Sequence, residues 1–156
     1  MPGILFRDIT PLLGNPALLK KTIDALCRPF SNKRVDYIAG VEARGFLLAS
    51  AMAYKLKTGL VPIRKKGKLP FKTVRITYKL EYGQDTVEIH RDAVGKGSRV
   101  LLVDDVLATG GTAKATAQAI EKAGGKIVGI VFLIELLALK GRAKISNYPI
   151  HALLRL

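Results

Sequence analysis

The sequence predicts an α/β fold, a central and mostly parallel sheet flanked by helices, and three observations carry that prediction. Short aliphatic and β-branched runs alternate with helical segments along the whole chain. One of these runs, Val100 to Val103, is apolar without interruption, as a strand covered on both faces must be. It leads through an acidic pair, Asp104-Asp105, into the small-residue loop Ala108-Thr109-Gly110-Gly111-Thr112 and then an Ala-rich helix. Strand, loop and helix in that order are the unit from which parallel βαβ connections are built.

The elements follow in order. Asn15-Pro16 is a helix start, a capping side chain followed by proline at the first helical position, and Leu18, Leu19, Ile23 and Leu26 give a helical stripe running to about Arg28. Val35 to Gly40 reads as a short strand. Phe46 to Leu56 reads as a helix with Leu47, Leu48, Ala51 and Met52 inward, and Leu60 to Ile63 as the next strand. Between Thr73 and His90, alternation in Val74-Arg75-Ile76-Thr77-Tyr78 and in Thr86-Val87-Glu88-Ile89 predicts a two-stranded excursion turning at Gly83-Gln84-Asp85. Such a hairpin is suited to move as a lid. Ala113 to Ala123 is the second well-defined helix, ended by Gly124-Gly125; Lys126 to Ile134 is a long buried strand, and Pro149 to Leu156 supplies the last one. No repeat, low-complexity tract or linker interrupts residues 1–156, so a single domain is expected.

Composition sets outer limits. Half the residues are apolar (49%), enough for a substantial core. The lone cysteine, Cys27, excludes an internal disulfide framework and is expected to be a buried small hydrophobe. With no secretory leader and no apolar run long enough to span a bilayer, a cytoplasmic location and no membrane partner are expected. His90 and His151 lack neighbours at ligand spacing and are read as structural or surface residues rather than zinc ligands. The charge stands out: 26 Lys plus Arg against 12 Asp plus Glu give a formal +14. Arg64, Lys65, Lys66, Lys68, Lys72, Arg75 and Lys79 fall in a stretch without a single acid, which points to a polyanionic ligand.

The segment after Val103 carries the chemistry. Acids at the carboxyl end of a buried strand sit where open α/β sheets bind ligands. Gly110 and Gly111 let the backbone approach an anion, Thr109 and Thr112 offer hydroxyls, and the following helix aims its N-terminal N–H groups at the same spot. The glycine spacing is not that of a dinucleotide fingerprint, and no Gly-Lys-Ser/Thr triplet follows, which excludes a Walker loop. The loop is a phosphate site of another kind.

Residues 100–113 resemble the phosphoribosyl-diphosphate signature of the type I phosphoribosyltransferases. Further segments resemble the adenine-specific branch of that family: Pro2-Gly3-Ile4-Leu5-Phe6-Arg7-Asp8-Ile9-Thr10, Gly40-Val41-Glu42-Ala43-Arg44-Gly45-Phe46, Ile63-Arg64-Lys65-Lys66-Gly67-Lys68-Leu69-Pro70, Leu80-Glu81-Tyr82-Gly83 and Glu135 to Arg142. They occur in the family's order along essentially the whole chain. The resemblance implies a hairpin lid and a small N-terminal hood on the sheet. It also implies a Mg2+-dependent transfer of the phosphoribosyl group from phosphoribosyl diphosphate to adenine, giving AMP and diphosphate in purine salvage.

By the same resemblance, Ala108, Thr109, Gly110, Gly111 and Thr112 would hold the 5-phosphate, and Asp104 and Asp105 would face the ribose hydroxyls. Arg44, Lys65 and Lys68 would bind diphosphate. Glu81 would be the acid/base on the lid with Tyr82 as its water-excluding cover. Backbone groups of Leu5 and Arg7 would read the adenine edge while Leu107 packs on its face, and Phe6 is a core anchor. Glu42-Ala43 is the candidate for the strained or cis peptide that relatives carry here. Mg2+ would travel mainly on diphosphate and water, so no dedicated metal cage is expected.

Relatives usually form homodimers and carry a further N-terminal helix before the Pro2-Gly3 segment; an incomplete hood and weakened two-fold contacts are therefore expected. The alternatives are specificity for guanine, hypoxanthine or xanthine, and a regulator that senses phosphoribosyl diphosphate and binds nucleic acid through its basic surface. The second is disfavoured because Glu81, Tyr82, Lys65 and Lys68 are all present and no helix-turn-helix is appended.

Overall fold

The structure, a computed structural model, describes residues 8–156. Leu5, Phe6 and Arg7 therefore lie outside the described residues. A short helix α1 (Thr10–Gly14) leads into α2 (Pro16–Cys27), whose start is capped as expected: the Asn15 side chain accepts from the Leu18 N–H at 3.0 Å. Then come β1 (Tyr37–Val41), α3 (Arg44–Leu56), β2 (Gly59–Lys65), β3 (Thr73–Lys79), β4 (Gln84–His90), β5 (Arg99–Leu107), α4 (Gly111–Lys122), β6 (Lys126–Glu135) and β7 (Ile150–Arg155). Neither α1 nor the three short 3-10 turns at Arg28–Phe30, Leu137–Leu139 and Gly141–Ile145 has a periodic signal in the sequence.

The strands form one seven-stranded sheet in the order β3-β4-β2-β1-β5-β6-β7. β2, β1, β5, β6 and β7 run parallel, and the β3–β4 hairpin is attached antiparallel to the outer end of β2 through Arg64 opposite Glu88 and Lys65 opposite Val87. Alternation along β5 divides its side chains between two cores. Val100 and Leu102 pack with α4 residues such as Ala117 and Ile120. Leu101 and Val103 pack with Leu48 and Met52 of α3 and with Ile23 and Leu26 of α2. Both faces are covered, which is why the run shows no polar residue until Asp104.

Four expectations need correction. The strand carrying the acids does not stop at Val103 but continues to Leu107, so Asp104 and Asp105 lie within it, paired against β6 through Asp104 opposite Phe132. On α3 the inward face is Leu48, Ala49, Met52 and Ala53; Leu47 is exposed and Ala51 half-buried. Ala49 is chosen by space, since a Cβ on Gly40 would stand 2.6 Å from the Ala49 Cβ. Leu18 likewise faces solvent, while Thr22 and Cys27 join Ile23 and Leu26 inside. The hairpin turn is Leu80 to Gly83, closed by the Leu80 N–H donating to the Gly83 carbonyl at 3.0 Å, and Gln84 already begins β4.

Candidate active site

The carboxyl ends of β1, β2 and β5 converge on a cavity of about 240 Å³ lined by Glu42, Arg44, Arg64, Lys65, Tyr78, Asp85, Asp104, Asp105 and Thr112, among others. Each wall has a local cause. β1 ends in a cis Glu42–Ala43 peptide, and α3 begins at once with Arg44. The Arg44 Nε lies 2.6 Å from Asp105 Oδ2, so the helix start and the acidic strand are tied across the floor. Gly45 permits this approach: a Cβ there would come within 2.9 Å of Asp104 Oδ1 and 3.1 Å of the Val103 carbonyl.

The two acids differ in environment. Asp105 is buried and ion-paired to Arg44. Asp104 keeps part of its surface accessible but is crowded by protein atoms, and its Oδ1 accepts the Asp105 N–H at 2.8 Å. Burial first, and the neighbouring Asp105 charge second, push its carboxyl well above the usual carboxylate range.

The glycine-containing loop expected to hold phosphate follows β5. Gly110 has φ +81° at the start of α4, a conformation that favours glycine, and its carbonyl accepts the Lys114 N–H at 3.0 Å. Gly141 backs the loop so closely that a Cβ on it would collide with the Ala108 carbonyl. Thr109 is exposed, Thr112 half-buried, and both flank the amino end of α4. Leu107 is buried in the α4-side core directly before the loop, and its carbonyl accepts the Leu136 N–H at 2.9 Å. A smaller recess of about 80 Å³ lies over Leu107, Ala108, Thr109, Gly110, Gly111 and Thr112.

The basic segment closes the other side. Glu42 Oε2 accepts the Lys65 N–H at 3.0 Å and pairs with Arg64 Nε at 3.3 Å; the backbone bond first and the Arg64 charge hold its carboxyl below the ordinary range. Arg64 also donates to the Lys68 carbonyl at 3.2 Å. Glu88, buried at 1% exposure, accepts the Gly67 N–H at 3.2 Å and faces Arg75 Nε at 2.7 Å, anchoring this segment to the hairpin. Lys65 and Lys68 are exposed and ready to meet an anion.

Asp104, Asp105, Arg44, Lys65 and Thr112 are thus brought to one cavity, with Ala108, Thr109, Gly110 and Gly111 in the adjoining recess. Glu81 and Tyr82 sit on the turn beyond the cavity wall, Tyr82 being 82% exposed. Among the described residues no three His, Cys, Asp or Glu side chains cluster as metal ligands.

Residues 10–152 match the phosphoribosyl transferase domain family. The adenine phosphoribosyltransferase of Brachyspira hyodysenteriae is 55% identical over 152 residues, covering 97% of this chain and 89% of that one. This chain belongs to the adenine phosphoribosyltransferases. The structure is equally similar to that of the adenine phosphoribosyltransferase from Rhodothermus marinus, with TM-score 0.95 and 52% identity over 99% of this chain and 89% of that one. The Trypanosoma brucei adenine phosphoribosyltransferase, solved in complex with AMP, pyrophosphate and ribose-5-phosphate, matches with TM-score 0.89 and 28% identity over 99% of this chain and 72% of that one.

Within this adenine phosphoribosyltransferase fold, Tyr78 and Asp85 are cavity residues that escaped the sequence reading, whereas Arg64 was read only as part of the basic stretch and Glu42 only as half of the cis peptide, which the structure contains. Tyr78 looked like an alternating strand position and Asp85 like a turn residue, and only the hairpin pairing that sets them opposite each other, beside Thr112, reveals their place.

Proposed function

We propose that this chain, acting as one domain, transfers the phosphoribosyl group of phosphoribosyl diphosphate to adenine, forming AMP and diphosphate. The observation that carries the proposal is the Asp104-Asp105 pair between two helix starts, those of α3 at Arg44 and α4 at Gly111. That arrangement suits a sugar carrying phosphate at one end and diphosphate at the other.

The chain's own residues divide the work. Ala108 to Thr112 and the first N–H groups of α4 hold the 5-phosphate. Arg44, Lys65 and Lys68 hold the diphosphate, with Glu42 and Arg64 fixing the lysine segment. Asp104 and Asp105 face the ribose hydroxyls. As the bond from the anomeric carbon to diphosphate oxygen breaks, positive charge builds on the sugar and the preoriented carboxylates stabilise it. The new bond forms from adenine N9, whose proton passes to Glu81 once the turn closes, with Tyr82 excluding water. Leu107 forms the apolar wall on the base side, and Leu5 and Arg7 supply the backbone groups that read adenine.

Mg2+ fits this site as an ion brought by substrate. Two acids at the sugar suit a cation that keeps waters and phosphate oxygens. It would be held by diphosphate with Asp104 and Asp105 nearby, and it supplies charge neutralisation to the leaving group.

A two-fold homodimer is also proposed, supported by the exposed Leu47 and Tyr54 on α3 and Leu60 on β2. No helix among the described residues is long and apolar enough to cross a membrane, which is compatible with a cytoplasmic enzyme.

The test is AMP formation from adenine, phosphoribosyl diphosphate and Mg2+ beside parallel reactions with guanine, hypoxanthine and xanthine. Turnover of adenine alone is expected. Binding of phosphoribosyl diphosphate without turnover of any base would overturn the assignment.

A further inference from the structure

Tyr78 and Asp85 stand opposite each other in the β3–β4 ladder, immediately before the turn that carries Glu81 and Tyr82. The Tyr78 hydroxyl lies 3.0 Å from Thr112 Oγ1 and donates to Asp85 Oδ2 at 3.4 Å. Lys65 Nζ is 3.7 Å from that same Oδ2, while Asp85 Oδ1 accepts the Thr86 N–H at 2.8 Å. One chain of polar contacts therefore runs from the phosphate loop through the hairpin to the basic segment. Asp85 Oδ2 is where its two ends meet.

A phenol has a single proton to give. With that proton on Asp85, Thr112 must supply the hydrogen of the Tyr78–Thr112 bond. A phosphate in the loop is a stronger, charged acceptor and draws the Thr112 hydrogen to itself. Tyr78 then turns its proton to the Thr112 oxygen and away from Asp85. Diphosphate, at the other end of the same substrate, competes with Asp85 for Lys65. Asp85 Oδ2 loses both partners when the two anionic ends arrive, and its charge is left facing a polyanion.

We propose that Tyr78 and Asp85 are positioning residues that couple occupancy of the two phosphate subsites to the posture of the Leu80 to Gly83 turn. The tyrosine arm reports the 5-phosphate and the lysine arm reports the diphosphate. Each anion loosens one arm and shifts the turn part of the way, and the hairpin is released fully toward the reaction centre when both are present, so water is excluded once the whole sugar donor is seated. The coupling rests on the phosphoribosyl-diphosphate reading above.

The chain contains no tryptophan, so Tyr82→Trp places a single tryptophan, excited selectively beyond the tyrosine absorption, on the turn. Its emission is followed while ribose 5-phosphate or magnesium diphosphate is added, with binding of each measured in parallel by calorimetry. Both ligands are expected to shift the emission. Adding Tyr78→Phe, which keeps the ring against Gly111, should remove the response to ribose 5-phosphate while sparing that to diphosphate. Adding Asp85→Asn, whose amide oxygen still accepts from Tyr78 but holds no charge for Lys65, should do the reverse. Loss of both responses together in either variant, or retention of both in both variants, overturns the coupling. Failure of both ligands to bind the Tyr82→Trp chain would instead overturn the sugar-donor assignment on which it stands.

Discussion

Two carboxylates placed side by side in a crowded strand repel each other, and each sacrifices hydration that the unfolded chain retains. At Asp104 the proton affinity is higher folded than unfolded. The native state holds the extra proton, so this residue costs no stability below the ordinary value of 3.8 and costs progressively more as pH rises through its raised value. Asp104→Asn should therefore melt higher at pH 7, by about 2–4 °C for each kcal/mol of relieved penalty in a domain of this size. The advantage should vanish in acid, and thermal melts across pH read it directly. Asp105→Asn breaks the ion pair with Arg44 and, on the proposed mechanism, removes a fixed charge from beside the sugar. Its kcat should fall by about 10²-fold or more, the scale for losing one preorganised electrostatic group, with a native circular dichroism spectrum. An undiminished kcat would remove Asp105 from the mechanism. Both acids were legible in the sequence because they interrupt an apolar run. Glu42 was not, since its work is to fix the backbone of Lys65, a contact between residues far apart in sequence.

At the scale of elements, the site depends on close approaches that only glycine allows. Gly45 brings α3 against Asp104, and Gly141 brings the segment after β6 against the phosphate loop. Gly45→Ala should push the helix start off the acidic strand, lowering kcat together with Tm. Gly141→Ala should displace the Ala108 carbonyl and raise the KM for phosphoribosyl diphosphate more than that for adenine. Steady-state kinetics with each substrate varied separates the two effects. Periodicity located α2, α3, α4 and six of the strands to within a few residues, but it misjudged the buried face of α3. Hydrophobicity favours Leu47, whereas the space beside Gly40 admits only a small side chain, and so Ala49 turns inward. The short α1 and the 3-10 turns have too few residues to display a period, and tertiary packing alone defines them.

Across the whole molecule, the formal charge of +14 meets a substrate that is itself a polyanion. Electrostatic steering predicts that kcat/KM for phosphoribosyl diphosphate falls steeply as ionic strength rises, while the kinetics of neutral adenine change little. A salt series with each substrate limiting checks this. Equal sensitivity for both would mean that the charge serves something other than capture of the sugar donor. The fold class was legible at this scale because alternating elements admit few topologies. The antiparallel attachment of the hairpin to β2 was not, for two residue pairs at a strand end leave no periodic trace.

That hairpin has an unequal build. Its base contributes Val74, Val87 and Ile89 to the core, whereas its tip at Gly83, with φ +85°, has no neighbouring atom within 4 Å of the place a side chain would occupy. The tip is therefore a splice point. A foreign peptide inserted at Gly83 leaves the core contacts of the hairpin base untouched yet sits on the turn proposed to carry the acid/base, so a binder that grips the insert should become an external switch for AMP synthesis.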